Sequence, residues 1–401
     1  MSISSDPFLK KTVLLVLLSS AAVLAADACT VIVVGKKASA SGHVIVGHNE
    51  DDSPAAWQAH SIVPSRDWPA GSLIPAEPGF CQRVPQVPHT LATYWSEAKF
   101  DMGDGNADAF YNEKGVVVVS DSGGRSRERD DDPGALTEGG VGHLVRRCVG
   151  ERAASARDAV RIIGELVEKY GYHHSARIYT VADKDEAWLV QVVHGRNFCA
   201  RRCPDDEVTI LPNCYTIRRL DELDPATVVH SKDLMENAKR KGFWDGKTPF
   251  DFAAAYQGKF EGTCEWAGLN DSNVGRFRQA ISFFTGKDWP AGRPFPFSVK
   301  PAKAKVGAED VKAVLTGHVS PHGDGVKHSP KSFAICRSWT IESMICEFAD
   351  DPSDTLLRVS IGPGCENPYR SFRPFRGGIP KDMDRPDPEG RLARHVCPLK
   401  R

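Results

Sequence analysis

The sequence lacks a surplus of charge of either sign. Lys and Arg number 51 against 52 Asp and Glu, a formal net charge of -1 over 401 residues. Affinity for a nucleic-acid backbone draws on surplus Lys and Arg gathered on one face, so a broadly basic nucleic-acid binder is excluded. The chain also lacks a membrane-spanning run. Its uncharged apolar stretch, Thr12–Ala25, is shorter than the ~20 residues a spanning helix needs, and no other segment is long and apolar enough. Signatures of metal and phosphate sites are missing too. There is no helical His-Glu-x-x-His, and Gly139-Gly140-Val141-Gly142 has neither a preceding strand nor a following Lys-Ser/Thr. Cys199 and Cys203 are too widely spaced for a redox Cys-x-x-Cys. His173-His174 and the group His318, His322 and His328 have no matched carboxylate in a helical frame. The last three lie among Gly, Pro and Ser, which reads as loop. No metal, no other cofactor and no internal repeat is expected. What is present, 41% hydrophobic and 26% charged residues, is the composition of a globular protein with ample core.

The N-terminus speaks to compartment. Lys10 and Lys11 precede the short apolar run, and Ala26-Asp27-Ala28 supplies small residues ahead of Cys29. A basic start, an apolar middle and a small-residue site are the three regions of a signal peptide, cleaved here before Cys29. An N-terminal anchor and a lipoprotein cysteine are the alternatives, although Ala26 stands where a lipoprotein signal usually has Leu. The expected destination is periplasmic or extracellular, or the secretory pathway of a eukaryote. Only there would the sequon Asn270-Asp271-Ser272 matter. The chain has 11 cysteines, and with Cys29 free the other ten can pair; the connectivity is open.

After residues 1–28, one domain is expected over 29–370, followed by a basic Pro/Arg/Gly-rich tail over 371–401. Thr30–Val34 (TVIVV) reads as a buried strand, and a turn leads to a second strand from His43 that runs into Gly47-His48-Asn49-Glu50-Asp51. Ser53–Thr90 reads as an irregular surface excursion, and Gly123–Gly140 as a charged, Gly-rich loop. Val116–Val119 is a strand. Ser155–Tyr170 is the clearest helix: Ser155 caps it, Ala159, Ile162, Ile163, Leu166, Val167 and Tyr170 form one stripe, and Gly171 ends it. Ile178–Ala182 and Ala187–Val193 form a hairpin, and Val208–Leu211, Ile341–Phe348 and Leu356–Ile361 are further strands. Strands, a helix and more strands without regular alternation indicate an α+β layered domain.

The chemistry centres on Cys29. A cysteine exposed by cleavage carries a nucleophilic thiol and an α-amine whose ordinary pKa, about 7.7–8.0, lies near working pH. That amine can take the thiol proton, so no separate histidine base is needed. In the precursor the same nitrogen is an amide, and the arrangement does not exist.

Cys29 and the strands after it, with HNED (His48–Asp51), resemble the opening of the cysteine N-terminal-nucleophile (Ntn) hydrolases. More specifically, the chain resembles the dipeptidase A/secernin family, related to cholylglycine hydrolase and penicillin V acylase. CTVIVVGKKASASG (Cys29–Gly42), LVEKYG (Leu166–Gly171), DEAWLVQ (Asp185–Gln191), PDDEVTILPN (Pro204–Asn213), ICRSWT (Ile335–Thr340) and PYRSF (Pro368–Phe372) carry the likeness along the chain. The resemblance implies a four-layer αββα sandwich with Cys29 at the end of a central strand, and hydrolysis of short peptides, most simply dipeptides, without a metal. It makes Cys29 the nucleophile and Asp51 the carboxylate that orients its amine. Asn213 becomes an oxyanion or amine-positioning amide, Arg276 the distal arginine, and Ser122 lies near a second oxyanion group. His48 stands where cholylglycine hydrolases carry Arg. Being mostly neutral at pH 7, it implies either a less acidified Cys29 or another cation in its place.

Three functions compete: a dipeptidase, an N-acyl amide acylase of the penicillin V type, and an inactive, disulfide-stabilised secreted scaffold. A dipeptidase must hold a free α-ammonium and so favours an acidic pocket, whereas an acylase needs an apolar one. The expected partner is a short peptide. No nucleic acid and no membrane span after processing are expected, and homo-oligomer formation is left open.

Overall fold

The structure, a computed structural model, describes residues 29–383 apart from 53–56, 75–82, 100–105, 129–134, 260–268 and 291. Residues 1–28, expected from the sequence to be a signal peptide, and residues 384–401 lie outside the described residues.

Fifteen strands build two large antiparallel sheets. In chain order they are β1 (Thr30–Val34), β2 (Ile45–Asp51), β3 (Trp57–Val63), β4 (Thr93–Lys99), β5 (Asn106–Asn112), β6 (Val117–Ser122), β7 (Tyr172–Ala182), β8 (Ala187–Gly195), β9 (Phe198–Arg202), β10 (Val208–Leu211), β11 (Val228–His230), β12 (Ser298–Val299), β13 (Thr340–Glu347), β14 (Leu356–Ile361) and β15 (Arg370–Phe372). The seven-stranded sheet runs β12-β10-β1-β2-β13-β14-β15, with the β1–β2 hairpin near its centre. The eight-stranded sheet runs β11-β9-β8-β7-β6-β5-β4-β3. Four main helices, α1 (Leu144–Arg152), α2 (Ala156–Tyr170), α3 (Asp271–Thr285) and α4 (Ala308–Leu315), cover the outside.

The period of two along each strand sorts the side chains into three cores. On β1, Val31 and Val33 join Val46, Met344 and Leu357 of their own sheet and Val117, Val119, Ile178 and Leu189 of the other, filling the space between the sheets. Ile32 and Val34 face the opposite way, with Ile45 and Ile210, onto Val274, Phe277 and Ile281 of α3 and Val311 and Leu315 of α4. Val118, Tyr179, Val181 and Val190 face out from the larger sheet onto Val145 and Val149 of α1 and Ile163 and Val167 of α2. A strand buried on both faces needs apolar residues at every position, which is why TVIVV reads as a continuous run. The layers are helix, sheet, sheet, helix: the α+β, four-layer αββα sandwich expected from the sequence. At Gly47 the outer helix sits so close that a Cβ would lie 2.3 Å from Cγ1 of Val311.

The helix at 155–170 is capped as its sequence indicates. Ser155 Oγ accepts from Asp158 N–H, and Gly171 ends it. Three sequence readings change. Residues 53–90 were expected to be irregular, yet Trp57–Val63 is an edge strand pairing with β4. Residues 371–383, assigned to the tail, are built into the fold: Ser371 and Phe372 extend a strand on β14, and Phe372 and Met383 are buried in the inter-sheet core. The largest change concerns the cysteines. Among the described residues, Cys29, Cys199, Cys203, Cys214, Cys336, Cys346 and Cys365 are free thiols. Cys148 and Cys214 are buried in the two helix-covered layers, and Cys199, Cys203 and Cys346 between the sheets, where they pack as small apolar residues. Cys81, Cys264 and Cys397 lie outside the described residues. Among the described residues no helix is long and apolar enough to cross a membrane.

Candidate active site

Cys29 enters the fold immediately before β1. Its own sheet registers Thr30 opposite Asn49, so Cys29 comes beside the end of β2. Parity with Val31 and Val33 turns its side chain toward the inter-sheet space, and only 4% of the residue is exposed. The thiol donates to Glu50 Oε1 at 3.4 Å and to the Asp51 carbonyl oxygen at 3.6 Å. No imidazole takes part in either bond.

The same parity splits HNED between two faces. His48 and Glu50 continue the inward series of Val44 and Val46. Across the gap, Asp121 continues the inward series of Val117 and Val119 on β6. His48 Nε2 lies 3.6 Å from Glu50 Oε2 and 3.4 Å from Asp121 Oδ1. Asp121 is fully buried, and neither of its carboxylate oxygens accepts a hydrogen bond. Burial first, then the charges of Glu50, Asp121 and Asp51, push the Cys29 thiol well above its ordinary pKa. With a peptide bond ahead of Cys29, the thiol is therefore held protonated.

Asn49 and Asp51 face the outer helices. Asn49 is consumed in packing, donating to the Leu315 carbonyl at 2.9 Å and accepting from Ser343 Oγ at 2.5 Å. Asp51 Oδ1 accepts from Thr340 Oγ1 at 2.5 Å, while its buried Oδ2 accepts no hydrogen bond. Burial drives the Asp51 carboxyl up to about 7, although the Thr340 hydrogen bond and the charges of Arg337, Arg276 and His48 all oppose the rise.

Arg276 projects from α3 into this outer face and is fully buried. Nη1 donates to the Cys29 carbonyl, to Thr30 Oγ1 at 3.3 Å and to Asn213 Oδ1 at 2.7 Å; Nη2 donates to Asn273 Oδ1 at 2.8 Å. Burial pulls its pKa down, and the nearby Asp51 and Cys29 oppose this. Asn213 follows β10 and donates through Nδ2 to the Ser122 carbonyl at 2.9 Å, joining the two sheets. The helix that delivers Arg276 is capped by Asn270, whose Oδ1 accepts from Asn273 N–H at 2.9 Å. The sequence suggested a sequon there. Gly275 lets the loop at Phe333 close on α3; a Cβ would sit 2.2 Å from the Phe333 carbonyl oxygen.

The structure thus brings Cys29, Asp51, Asn213, Arg276 and His48 to one end of the β1–β2 pair. Ser122 joins them through its carbonyl. His48 engages two carboxylates, and a different cation, Arg276, touches Cys29 through its carbonyl oxygen, one of the two outcomes that a histidine at this position implied. The sequence reading passed over Glu50, Asp121, Thr340 and Arg337. Period-two counting from the flanking valines would have found the first two.

A family pattern described as "Peptidase family C69" matches residues 28–332. The chain belongs to peptidase family C69. Curated relatives include a "Probable dipeptidase" of Latilactobacillus sakei, 26% identical over 343 residues that make up 81% of this chain and 69% of the relative. Another "Probable dipeptidase", from Salmonella dublin, is 25% identical over 305 residues, 74% of this chain and 68% of that one. Among solved structures, penicillin V acylase from Agrobacterium tumefaciens covers 88% of each chain at 14% identity with a TM-score of 0.41. By family this chain is a peptidase, a hydrolase of peptide bonds.

Proposed function

We propose that this C69 peptidase is an exported dipeptidase that uses Cys29 as an N-terminal nucleophile. The observation that carries the reading is the company the thiol keeps. Its hydrogen bonds go to a carboxylate and a carbonyl, so no Cys–His pair supplies a base. Cleavage of the Ala28–Cys29 bond would create a base on the same residue. The new ammonium would enter a site whose buried Asp51 Oδ2 lacks a hydrogen-bond donor. Its positive charge beside three carboxylates would offset the repulsion that, after burial, raises the thiol pKa.

In the reaction, the amine takes the thiol proton as sulfur attacks the peptide carbonyl. The oxyanion forms near Asn213, whose Nδ2 has a second N–H besides the one given to Ser122. Arg276 holds the Cys29 carbonyl and Asn213 in place. The tetrahedral intermediate expels the leaving amine, which takes the proton back, and leaves a thioester on Cys29. Water, deprotonated by the same α-amine, then releases the first amino acid.

Glu50 and Asp121 favour a dipeptide over an N-acyl amide. A substrate with a free N-terminus brings an ammonium, and the inner face offers a buried carboxylate without hydrogen bonds to receive it. An apolar acyl group would leave that carboxylate desolvated and without a hydrogen bond, with the His48 imidazole beside it.

The test is maturation. Exported protein should begin Cys-Thr-Val-Ile by N-terminal sequencing and hydrolyse members of a dipeptide panel while leaving N-acyl amides intact. A form that keeps one residue ahead of Cys29 should fold and be inactive. Full activity in protein shown by mass spectrometry to retain Ala28 would defeat the mechanism. Preference for N-acyl amides would replace dipeptidase by acylase.

A further inference from the structure

Four side chains that take no part in the site above converge where the long irregular stretch between α4 and β13 meets the turn after β14. They are His318, His328, Cys336 and Cys365, and one ligand atom from each lies within 4.8 Å of all the others. His318 Nε2 is 3.3 Å from His328 Nε2, Cys365 Sγ is 3.4 Å from that nitrogen, and Cys336 Sγ is 3.7 Å from it. Tetrahedral zinc binds nitrogen at about 2.0–2.1 Å and sulfur at about 2.3 Å, which sets ligand-to-ligand edges of roughly 3.3 Å for two nitrogens and roughly 3.6 Å for a nitrogen and a sulfur. The three edges that meet at His328 lie close to those values. The donor set of two thiolates and two imidazoles is the one that selects zinc in closed, four-coordinate sites.

The surroundings fit as well. His328 Nδ1, the ring nitrogen turned away from the cluster, lies 3.5 Å from Glu366 Oε1, and Lys327 Nζ holds that carboxylate at 2.9 Å. A carboxylate behind a ligating histidine fixes its tautomer and raises its basicity. His328 itself has a φ of 55°, a left-handed conformation that costs energy unless the surroundings require it.

We propose that His318, His328, Cys336 and Cys365 bind a structural zinc ion. Binding takes one proton from each thiol and releases both to solvent. Two thiolates then balance the ion's charge, so the half-buried site is neutral. The ion ties the stretch from Thr316 to Trp339 to the turn after β14. That stretch carries Arg337 and leads into Thr340, two of the residues that act on Asp51. The zinc thus fixes one wall of the outer face without touching the reacting atoms.

The inference is independent of the dipeptidase reading, because its readout is metal content. Protein from zinc-supplemented culture, dialysed and measured by inductively coupled plasma mass spectrometry, should carry about one zinc per chain. Cys336→Ala with Cys365→Ala, and separately His318→Ala with His328→Ala, should drop it below about a tenth. Cys29→Ala should keep the metal. Should the double variants not fold, wild-type protein exchanged into cobalt(II) should show thiolate-to-cobalt charge-transfer bands and the visible bands of a tetrahedral ion. Wild-type protein with no zinc and a Cys336–Cys365 disulfide by peptide mapping would overturn the proposal, as would variants that retain full zinc or a cobalt spectrum without thiolate bands.

Discussion

The two faces of the β1–β2 end differ in how far the protein satisfies its own polar groups. On the outer face, Arg276 is spent on chain atoms: the Cys29 carbonyl, Thr30, Asn213 and Asn273 share its guanidinium. Asp51 is tied to Thr340 through one oxygen. On the inner face, Asp121 has no hydrogen bond to either oxygen, and its neighbour is a histidine that also faces Glu50. A buried carboxylate left in this state costs stability, and such costs persist where a ligand meets them. In the proposed mechanism the outer face holds the nucleophile and the inner face receives positive charge.

The sharpest way to break this comparison is to remove the atom on which both faces act. Cys29→Ala should abolish turnover, by roughly 10⁴-fold or more in kcat, with the fold intact, since the site loses little volume and the outer-face bonds to the Cys29 backbone remain. Turnover near wild type would mean that neither face serves this residue.

Arg276→Lys tests the outer face. A lysine keeps the charge, but its single ammonium cannot reach the Cys29 carbonyl, Asn213 and Asn273 together. We expect kcat to fall by roughly 10²-fold with little change in KM, as a misplaced nucleophile loses orientation rather than binding. A change confined to KM would assign Arg276 to substrate binding.

Asp121→Asn tests the inner face, and the expected effect is smaller. Removing one charge-assisted partner should lower kcat/KM for free-amine dipeptides by about tenfold, mostly through KM. Activity toward N-acetylated dipeptides, low in both proteins, should not fall. A variant equally impaired on both substrates would show that Asp121 supports structure, not the substrate ammonium.

The architecture was legible from the sequence because burial leaves a periodic trace. TVIVV, the capped helix at 155–170 and the hairpin around Asp183 each carry their structure in local pattern. The edge strand Trp57–Val63 was not, because it sits among Pro and Gly signals and its alternation is broken by Gln58 and His60, both buried. The cysteines misled for a different reason. An exported chain with many cysteines suggests pairing, but pairing depends on where distant side chains meet, and that is not a local property. The same holds for His318, His328, Cys336 and Cys365. Their spacing matches no short motif, and only the fold brings Cys365 back to the other three. Of the candidate site, Cys29 was reached from the chemistry of a cysteine exposed by cleavage, and Asp51, Asn213 and Arg276 through family likeness. Glu50 and Asp121 lay within reach of period-two counting, while Thr340 and Arg337 depend on how β13 and its preceding loop return to β2.

The finest distinction between the faces is electrostatic, and pH reads it. With Cys29 preceded by a peptide bond, burial raises the Asp51 carboxyl to about 7 from an ordinary 3.8. A carboxyl raised by folding contributes its stability in full below its unfolded pKa and loses it as pH climbs through the folded value. A form with a blocked N-terminus should therefore lose melting temperature between about pH 4 and pH 7, the interval in which the folded state holds a proton that the unfolded state has released. Processing before Cys29, as proposed, would place an ammonium beside Asp51, favour the ionised carboxylate and draw the folded pKa back down. Mature protein should show a flatter Tm profile over that interval, and Asp51→Asn should flatten the profile of the blocked form to match. Differential scanning fluorimetry of the three proteins decides it. Superimposable pH profiles for mature and blocked protein would mean that the new amine does not reach Asp51, and the outer face would then hold the nucleophile through Arg276 and Asn213 alone.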